Sequence, residues 1–440
     1  MASRMRWATR VGVAALAVGV AAPAAWAAVA WTPAANGGTT DGQAFGAANW
    51  AYGGNFEKSA NGSVWAALTT DKIGNTWASD AGPYQGIYVR KGTVDPATGA
   101  TTWAKAKRVS PGKKHGEAGS LSTGGSNNNV YTTWLTWKSY DNYDVTDPRQ
   151  AQFRALVGGT WQPVVNLTSG KSTRVDYPVV AGSGNTVLVA YTNANNGNIV
   201  VRRSIDAGVT WGSTNAGTTN RLDPDDSAAG FAGWPTICAD GAGAVVSWVS
   251  NNQINIRTSN DGGATWRPTV SVGTSAGADR GWSQCDVEGN RIGLAWNEND
   301  GVKYAEYSVA TGNATTAAKT VIALPSTLDG TTFNAAYAVA PALTGAGTVG
   351  IAAPLCVQNG CDYNDKATRI HLYWTESTNN GGSFNTPTVL AQPTSANKKN
   401  LNDSPAPMYY DSDTRLVMYN GYNAAYTNYR LYLARGNGTP

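Results

Sequence analysis

Charge is scarce in this chain: Asp, Glu, Lys and Arg make up 14% of 440 residues, with 33 basic side chains against 29 acidic ones. No block of like charge offers itself to a polyanion, so a nucleic-acid partner is not expected. There are only two His, neither of them near a Cys or the other His, which leaves a zinc centre or a His-dependent triad without its parts. No glycine-rich loop follows a strand and opens a helix, and with it goes a nucleotide cofactor. The acidic loops Asp223-Pro-Asp225-Asp226, 141–147 and 362–365 carry oxygen atoms suited to calcium, but none has a fixed ligand spacing, and solvated turns are the simpler reading. No metal and no cofactor is therefore expected. Helical periodicity is hard to find anywhere, and beyond the first residues no apolar run is long enough to cross a membrane.

The first residues have the pattern of a secretory leader. Arg4, Arg6 and Arg10 precede an apolar core from Val11 to Ala22, and Ala25-Trp26-Ala27 reads as the cleavage site. Residues 1–27 are read as the leader and 28–440 as one domain, exported, with no membrane anchor. Three of the 33 basic residues fall in the leader, leaving 30 against 29. No Pro-rich, charged or low-complexity linker divides the rest. What the chain does have is 51 Gly, 17 Trp and 20 Tyr, a composition suited to many short strands, tight turns and aromatics between sheets.

A unit of about 50 to 70 residues repeats. Its second strand is an apolar or alternating run: Val64–Leu68, Val130–Trp134, Val187–Tyr191, Ala244–Trp248, Ile292–Trp296, Val349–Ala353 and Leu416–Tyr419. A third strand follows each, at Ile87, Phe153, Ile199, Ile254, Val302, Ile370 and Leu431. First strands begin near Phe56, Glu117, Tyr177, Trp234, Trp282, Tyr337 and Pro407. This is an all-β chain with the spacing of a β-propeller of four-stranded blades; seven blades are favoured and six remain possible. The seventh unit runs out after its third strand, and a segment near Val29 to Thr32 is expected to supply the fourth and close the ring.

Two hairpins after third strands are nearly identical: Ser204-Ile-Asp206-Ala-Gly208-Val-Thr210-Trp211 and Ser259-Asn-Asp261-Gly-Gly263-Ala-Thr265-Trp266. A weaker copy reads Ser377-Thr-Asn379-Asn-Gly381-Gly-Ser383-Phe384. The Asp or Asn folds back on backbone N–H groups, the Gly takes a positive φ, and the aromatic buries its ring. This pattern resembles the Asp box of the sialidase-like β-propellers, and the resemblance extends over the whole mature chain. Such a box staples a hairpin and implies architecture rather than activity.

In a blade of this kind the Asp-box hairpin shares one rim with the turn between the first two strands. The opposite rim, called here the crossover rim, collects the connections between blades and the loops between second and third strands. Polar and aromatic residues gather there: His115 and Glu117, Arg174 with Asp176 and Tyr177, Trp234, Arg280 with Trp282, Arg369, Asp403 and Tyr422. Sugar rings stack on aromatics and their hydroxyls and acid groups take charged hydrogen bonds, so an extracellular glycan is the expected partner. The plainer alternative is that Arg and carboxylate groups simply pair across neighbouring blades.

The resemblance implies more specific roles. Sialidases hold a substrate carboxylate with three Arg and use a Tyr nucleophile, a partner Glu and an Asp acid/base. Arg174, Arg280 and Arg369 are the matching Arg candidates, Asp176 or Glu117 the acid/base, and Tyr409, Tyr410 or Tyr422 the nucleophile. Where that family's first blade carries an Arg, this chain reads Phe56-Glu57-Lys58. Two functions stay open: a carbohydrate-binding protein using Tyr177, Trp234, Trp282, His115 and the Arg set, and a glycoside hydrolase of the sialidase or another acidic-sugar type. Of the four cysteines, Cys238 and Cys285 occupy equivalent depths in consecutive blades and are expected to bridge; Cys356 and Cys361 are expected to staple one loop.

Overall fold

A computed structural model describes residues 30–32, 56–70, 86–95, 98, 100–112, 115–137, 149–168, 174–212, 233–274, 283–357, 369–391, 400–422 and 429–437. Residues 1–27, expected to be a leader, lie outside them. Every regular element among the described residues is a β-strand. There are seven blades, each an antiparallel sheet read outward from an inner strand: Phe56–Lys58, His115–Thr123, Val175–Ser183, Gly233–Asp240, Gln284–Glu288, Ala340–Leu343 and Asn400–Tyr409. The strand Ala30–Thr32 pairs antiparallel with Tyr429–Asn437, Trp31 opposite Gly436, and completes blade 7 as its outermost strand. The ring is thus closed by the beginning of the described chain, and Trp31 docks its ring 5.5 Å from that of Trp374 in blade 6.

The core is not central. It is divided into wedges, one between each pair of adjacent blades, because each sheet buries both faces against its neighbours. Leu68 and Tyr88 of blade 1 meet Met418 of blade 7, Tyr131 and Phe153 of blade 2 meet Val189 of blade 3, and the same holds around the ring. The aromatic that ends the second-strand pattern fills these wedges: Trp134, Trp248 and Trp296 are fully buried against the preceding blade. A sheet buried on both faces explains why second strands read as near-continuous apolar runs rather than as alternation.

The inner strands pose a separate problem. Their channel-side edges are unpaired, and N–H groups without partners there would be costly. Side chains of the preceding blade supply the acceptors. Thr123 N donates to Glu57 Oε2 at 2.6 Å, Gly182 N to Ser122 Oγ at 2.9 Å, Gly289 N to Asp240 Oδ2 at 2.9 Å and Leu343 N to Asp286 Oδ2 at 2.7 Å. Between blades 4 and 5 a covalent link is added: Cys238 and Cys285 are bonded, with Cα atoms 6.0 Å apart. Cys356 is also disulfide-bonded, while Cys361 lies outside the described residues.

The Asp boxes tie blade to blade. In the first, Ser204 Oγ donates to Asp206 Oδ1 at 2.7 Å, Thr210 N donates to the same oxygen at 2.8 Å, and Gly208 N donates to Ser204 Oγ at 2.9 Å. The second box reproduces each contact within 0.1 Å, and the third does so with Asn379 in place of the Asp. Gly208 holds φ 86°, and a Cβ there would come within 2.1 Å of Phe153 in the blade before. Trp211 then stands edge-on to Phe153 at 4.9 Å, as Phe384 does to Tyr304 at 5.7 Å. Close approach, rather than the turn alone, requires the glycine.

One element escapes the repeat. Between blades 5 and 6, Ser326–Leu328 and Thr331–Phe333 form a two-stranded hairpin turned by Asp329-Gly330. Phe333 is buried against Tyr373 and His371 of blade 6, their ring centroids 5.3 and 5.1 Å away.

Candidate functional site: the two mouths of the channel

At the crossover rim the inner strands are bulged. Register slips between Glu117 and Ser120, Asp176 and Val179, Gly233 and Thr236, and Asp403 and Ala406, so the same joint recurs in blades 2, 3, 4 and 7. In three of them the residue inside the bulge holds a left-handed φ: Tyr177 at 52°, Trp234 at 51° and Ser404 at 47°. Each precedes a proline, which makes the conformation more demanding still. Ala338, where the inner strand of blade 6 is interrupted, holds φ 43°. Strain of this kind costs about 1–3 kcal/mol per residue and collects where a scaffold aims side chains.

Two of these bulges bring their aromatics together. The rings of Tyr177 and Trp234, from neighbouring blades 3 and 4, lie 6.0 Å apart at 48°. Beside them Asp176 accepts from Arg149 Nη1, a half-buried ion pair between blades 3 and 2. Arg174 stands just before the inner strand of blade 3, its backbone carbonyl accepting from Ala194 N at 2.9 Å. Its Nε is buried without a hydrogen-bond partner. Arg369 opens the third strand of blade 6, paired through its backbone with Asn400. Arg174 and Arg369 therefore sit three blades apart. His115 and Glu117 occupy the first positions of the blade 2 inner strand, opposite Trp137 and Leu135, and Tyr422 ends a strand of blade 7 opposite Tyr429. The side chains of His115, Glu117 and Tyr422, and the whole of Arg280 and Trp282, lie outside the described residues.

The Asp-box mouth has a different chemistry. A cavity of about 260 Å³ is lined there by inner strands from all seven blades. It holds Glu57, Asp240, Asp286 and Glu288 against a single Lys58. Lys58 Nζ donates to Tyr410 O and lies 4.8 Å from that ring's centroid, so it is drawn toward blade 7. Burial pushes both the Glu57 and Asp286 carboxyls up to about 7, against the hydrogen bonds each accepts. Burial and the nearby Asp240 also raise Glu288.

Tyr409 lines this same cavity, at the end of the blade 7 inner strand. Its hydroxyl donates to Glu376 Oε1 at 2.7 Å, and Arg415 Nε donates to that oxygen at 2.7 Å with Nη2 on Oε2 at 3.2 Å. Arg415 and Glu376 are fully buried. Burial, followed by the neighbouring Glu376 charge, holds the Tyr409 hydroxyl well above its ordinary range, as a donor rather than a phenolate. The arrangement has a twin in blade 5, where Tyr304 donates to Glu306 at 2.9 Å and Arg291 grips both carboxylate oxygens at 2.9 and 2.7 Å. In both blades the Glu stands opposite a glycine, Gly350 or Gly293, which leaves room for the tyrosine hydroxyl. A repeated Tyr–Glu–Arg clamp is a means of satisfying a buried carboxylate. Tyr409 is also remote from Asp176: in the register shared by the inner strands Asp176 matches Asp403, six residues before Tyr409, or roughly 20 Å of strand at about 3.3 Å per residue.

Arg149, Glu376, Arg415 and the channel acids Asp240, Asp286 and Glu288 were not marked by any sequence motif. A charge inside an apolar strand, as in Thr414-Arg415-Leu416-Val417 or Tyr373-Trp374-Thr375-Glu376, was the available signal for the clamp. Arg149 lies in a polar loop with nothing local to distinguish it.

Blades, boxes and channel together define a seven-bladed β-propeller with Asp-box hairpins. No protein-family model and no curated protein matches the sequence. Among solved structures the chain is similar to the Hadza microbial sialidase Hz136 (12% identity, TM-score 0.43, covering 87% of this chain and 65% of that one). It is similar too to a sialidase of Trypanosoma rangeli (12%, 0.44, 87% and 55%) and to an unknown-function protein of Dyadobacter fermentans DSM 18053 (11%, 0.47, 90% and 98%). The chain thus spans only 65% and 55% of the two sialidases. At such identities the likeness says nothing about what the chain does, and the fold rests on its own geometry.

Proposed function

We propose that the chain is a secreted protein that engages an extracellular glycan at the crossover rim, as a carbohydrate-binding protein. The observation that carries this reading is the Tyr177–Trp234 ring pair held on two strained bulges beside the Asp176–Arg149 ion pair. Aromatic faces next to charged hydrogen-bonding groups suit a sugar ring with its hydroxyls. Arg174, Arg280, Arg369, Trp282 and His115 complete the binding set, and the leader and the Cys238–Cys285 bond support export. Binding is favoured over hydrolysis because Asp176 is committed to Arg149, while Tyr409 lies at the other mouth, far from Asp176. A glycan array followed by calorimetric titration tests it. Saturable binding that Tyr177→Ala weakens about tenfold supports the reading; wild-type protein that binds no glycan removes it.

One observation favours a second reading, glycoside hydrolysis. Glu117 and Asp176 open the same bulge in neighbouring blades, a placement that suits an acid and base pair. Turnover of a chromogenic sialoside or uronide, abolished by Asp176→Asn with the fold intact, would establish it. Arg280→Ala serves as the substrate-holding control.

A further inference from the structure

We infer that Glu57 and Asp286 form a proton-operated latch at the Asp-box mouth: protonated, they sit neutral across the blade 1–2 and blade 5–6 seams; ionised, they load the channel with like charge and loosen the ring. The geometry carries this. Each carboxyl spans a seam by accepting from a backbone N–H of the next blade, Thr123 N for Glu57 and Leu343 N for Asp286. Ser122 Oγ adds a second bond to Glu57 at 3.1 Å, and Val287 N a second to Asp286 at 2.8 Å. No Lys or Arg forms an ion pair with either among the described residues.

The groups that face the two carboxyls are mostly of the same sign. Asp240 of blade 4 and Glu288 of blade 5 share the cavity with them. Among the described residues, blades 2, 3 and 6 contribute no titratable side chain to its lining. Blade 7 contributes Tyr409, whose hydroxyl is turned to Glu376. Arg291 and Tyr304 of blade 5 feel Asp286, but both are bound to Glu306. Among the described residues Lys58 is the lone cation on the lining, and its ammonium is held by Tyr410 O. Ionising both latch groups would put four carboxylates in one confined space.

The sign of the linkage follows. A carboxyl that holds its proton more tightly in the folded chain contributes stability that is complete below its unfolded value, near 4, and is lost as pH rises toward about 7. The test is denaturant unfolding of the mature chain between pH 4.5 and 8 at fixed ionic strength, for wild type, Glu57→Gln, Asp286→Asn and the double variant. The unfolding constant of wild type is expected to rise roughly tenfold per pH unit for each latch carboxyl between about pH 5 and 7, and to level off above. Each single variant should lose one group's share of that slope, and the double variant should lose both, leaving the opposite slope of His371, whose burial holds it down to about 4. A double variant as steep as wild type overturns the latch. If the double variant does not fold, infrared spectra of wild type decide: a protonated-carboxyl carbonyl band present at pH 6 and gone at pH 8 upholds the proposal, and its absence at pH 6 overturns it.

Discussion

The two mouths of the channel are made by the same seven inner strands, yet they are held in opposite ways. At the Asp-box mouth the backbone takes positive φ largely at glycines, and boxes or side-chain acceptors staple most blades to the one before. At the crossover rim the same strands slip register, and Tyr177, Trp234 and Ser404 are forced into a left-handed conformation that their side chains oppose. Relaxed geometry at one end and imposed geometry at the other point to where the scaffold is aiming something. The exception at the closed end is its acid cavity, where Glu57 and Asp286 hold their protons instead of finding cations.

Breaking the closed end should cost most. Arg415→Ala leaves Glu376 buried without its cation and removes a partner of the cluster that Tyr409 joins; denaturant unfolding is expected to show a loss of about 3–5 kcal/mol. Gly208→Ala puts a Cβ into Phe153 at a positive φ, and a loss of about 2–3 kcal/mol is expected by the same measurement. At the crossover rim the sign should reverse. Ser404→Gly relieves a left-handed residue before Pro405 and should gain about 0.5–1 kcal/mol. The smallest effect belongs to Asp206→Asn. The third box already works with Asn379, so at neutral pH the change should stay within about 0.5 kcal/mol. Asp206 is held down to about 2 by its bonds from Thr210 first and then Ser204. Its stabilisation is present above the unfolded value near 4 and is lost as pH falls through about 2, so acid unfolding of the variant should lack that step.

Much of the ring was legible in the sequence because it is a repeat. The seventh unit runs out after its third strand, which left one strand to find, and Ala30–Thr32 fills it. Equivalent depth placed Cys238 against Cys285. The hairpin at Ser326–Phe333 was missed although Asp329-Gly330 between short β-prone runs is a strong turn signal. It interrupts the blade period, so it falls outside the repeat that makes the other strands legible. The bulges were not legible at all. A residue before proline is expected in extended backbone, so nothing local announces that Tyr177, Trp234 and Ser404 turn left-handed; ring closure imposes it. The Asp176–Arg149 pair likewise depends on where two blades meet, the plainer fate of Arg and carboxylate groups on this rim.

The most direct measurement is glycan affinity by calorimetry for three forms of the mature chain: wild type, Tyr177→Ala at the crossover rim and Asp206→Asn at the Asp-box end. The account predicts saturable binding by wild type, affinity unchanged in Asp206→Asn, and a loss of about tenfold in Tyr177→Ala with its unfolding midpoint preserved. Equal affinity in Tyr177→Ala and wild type, or loss confined to Asp206→Asn, would contradict it.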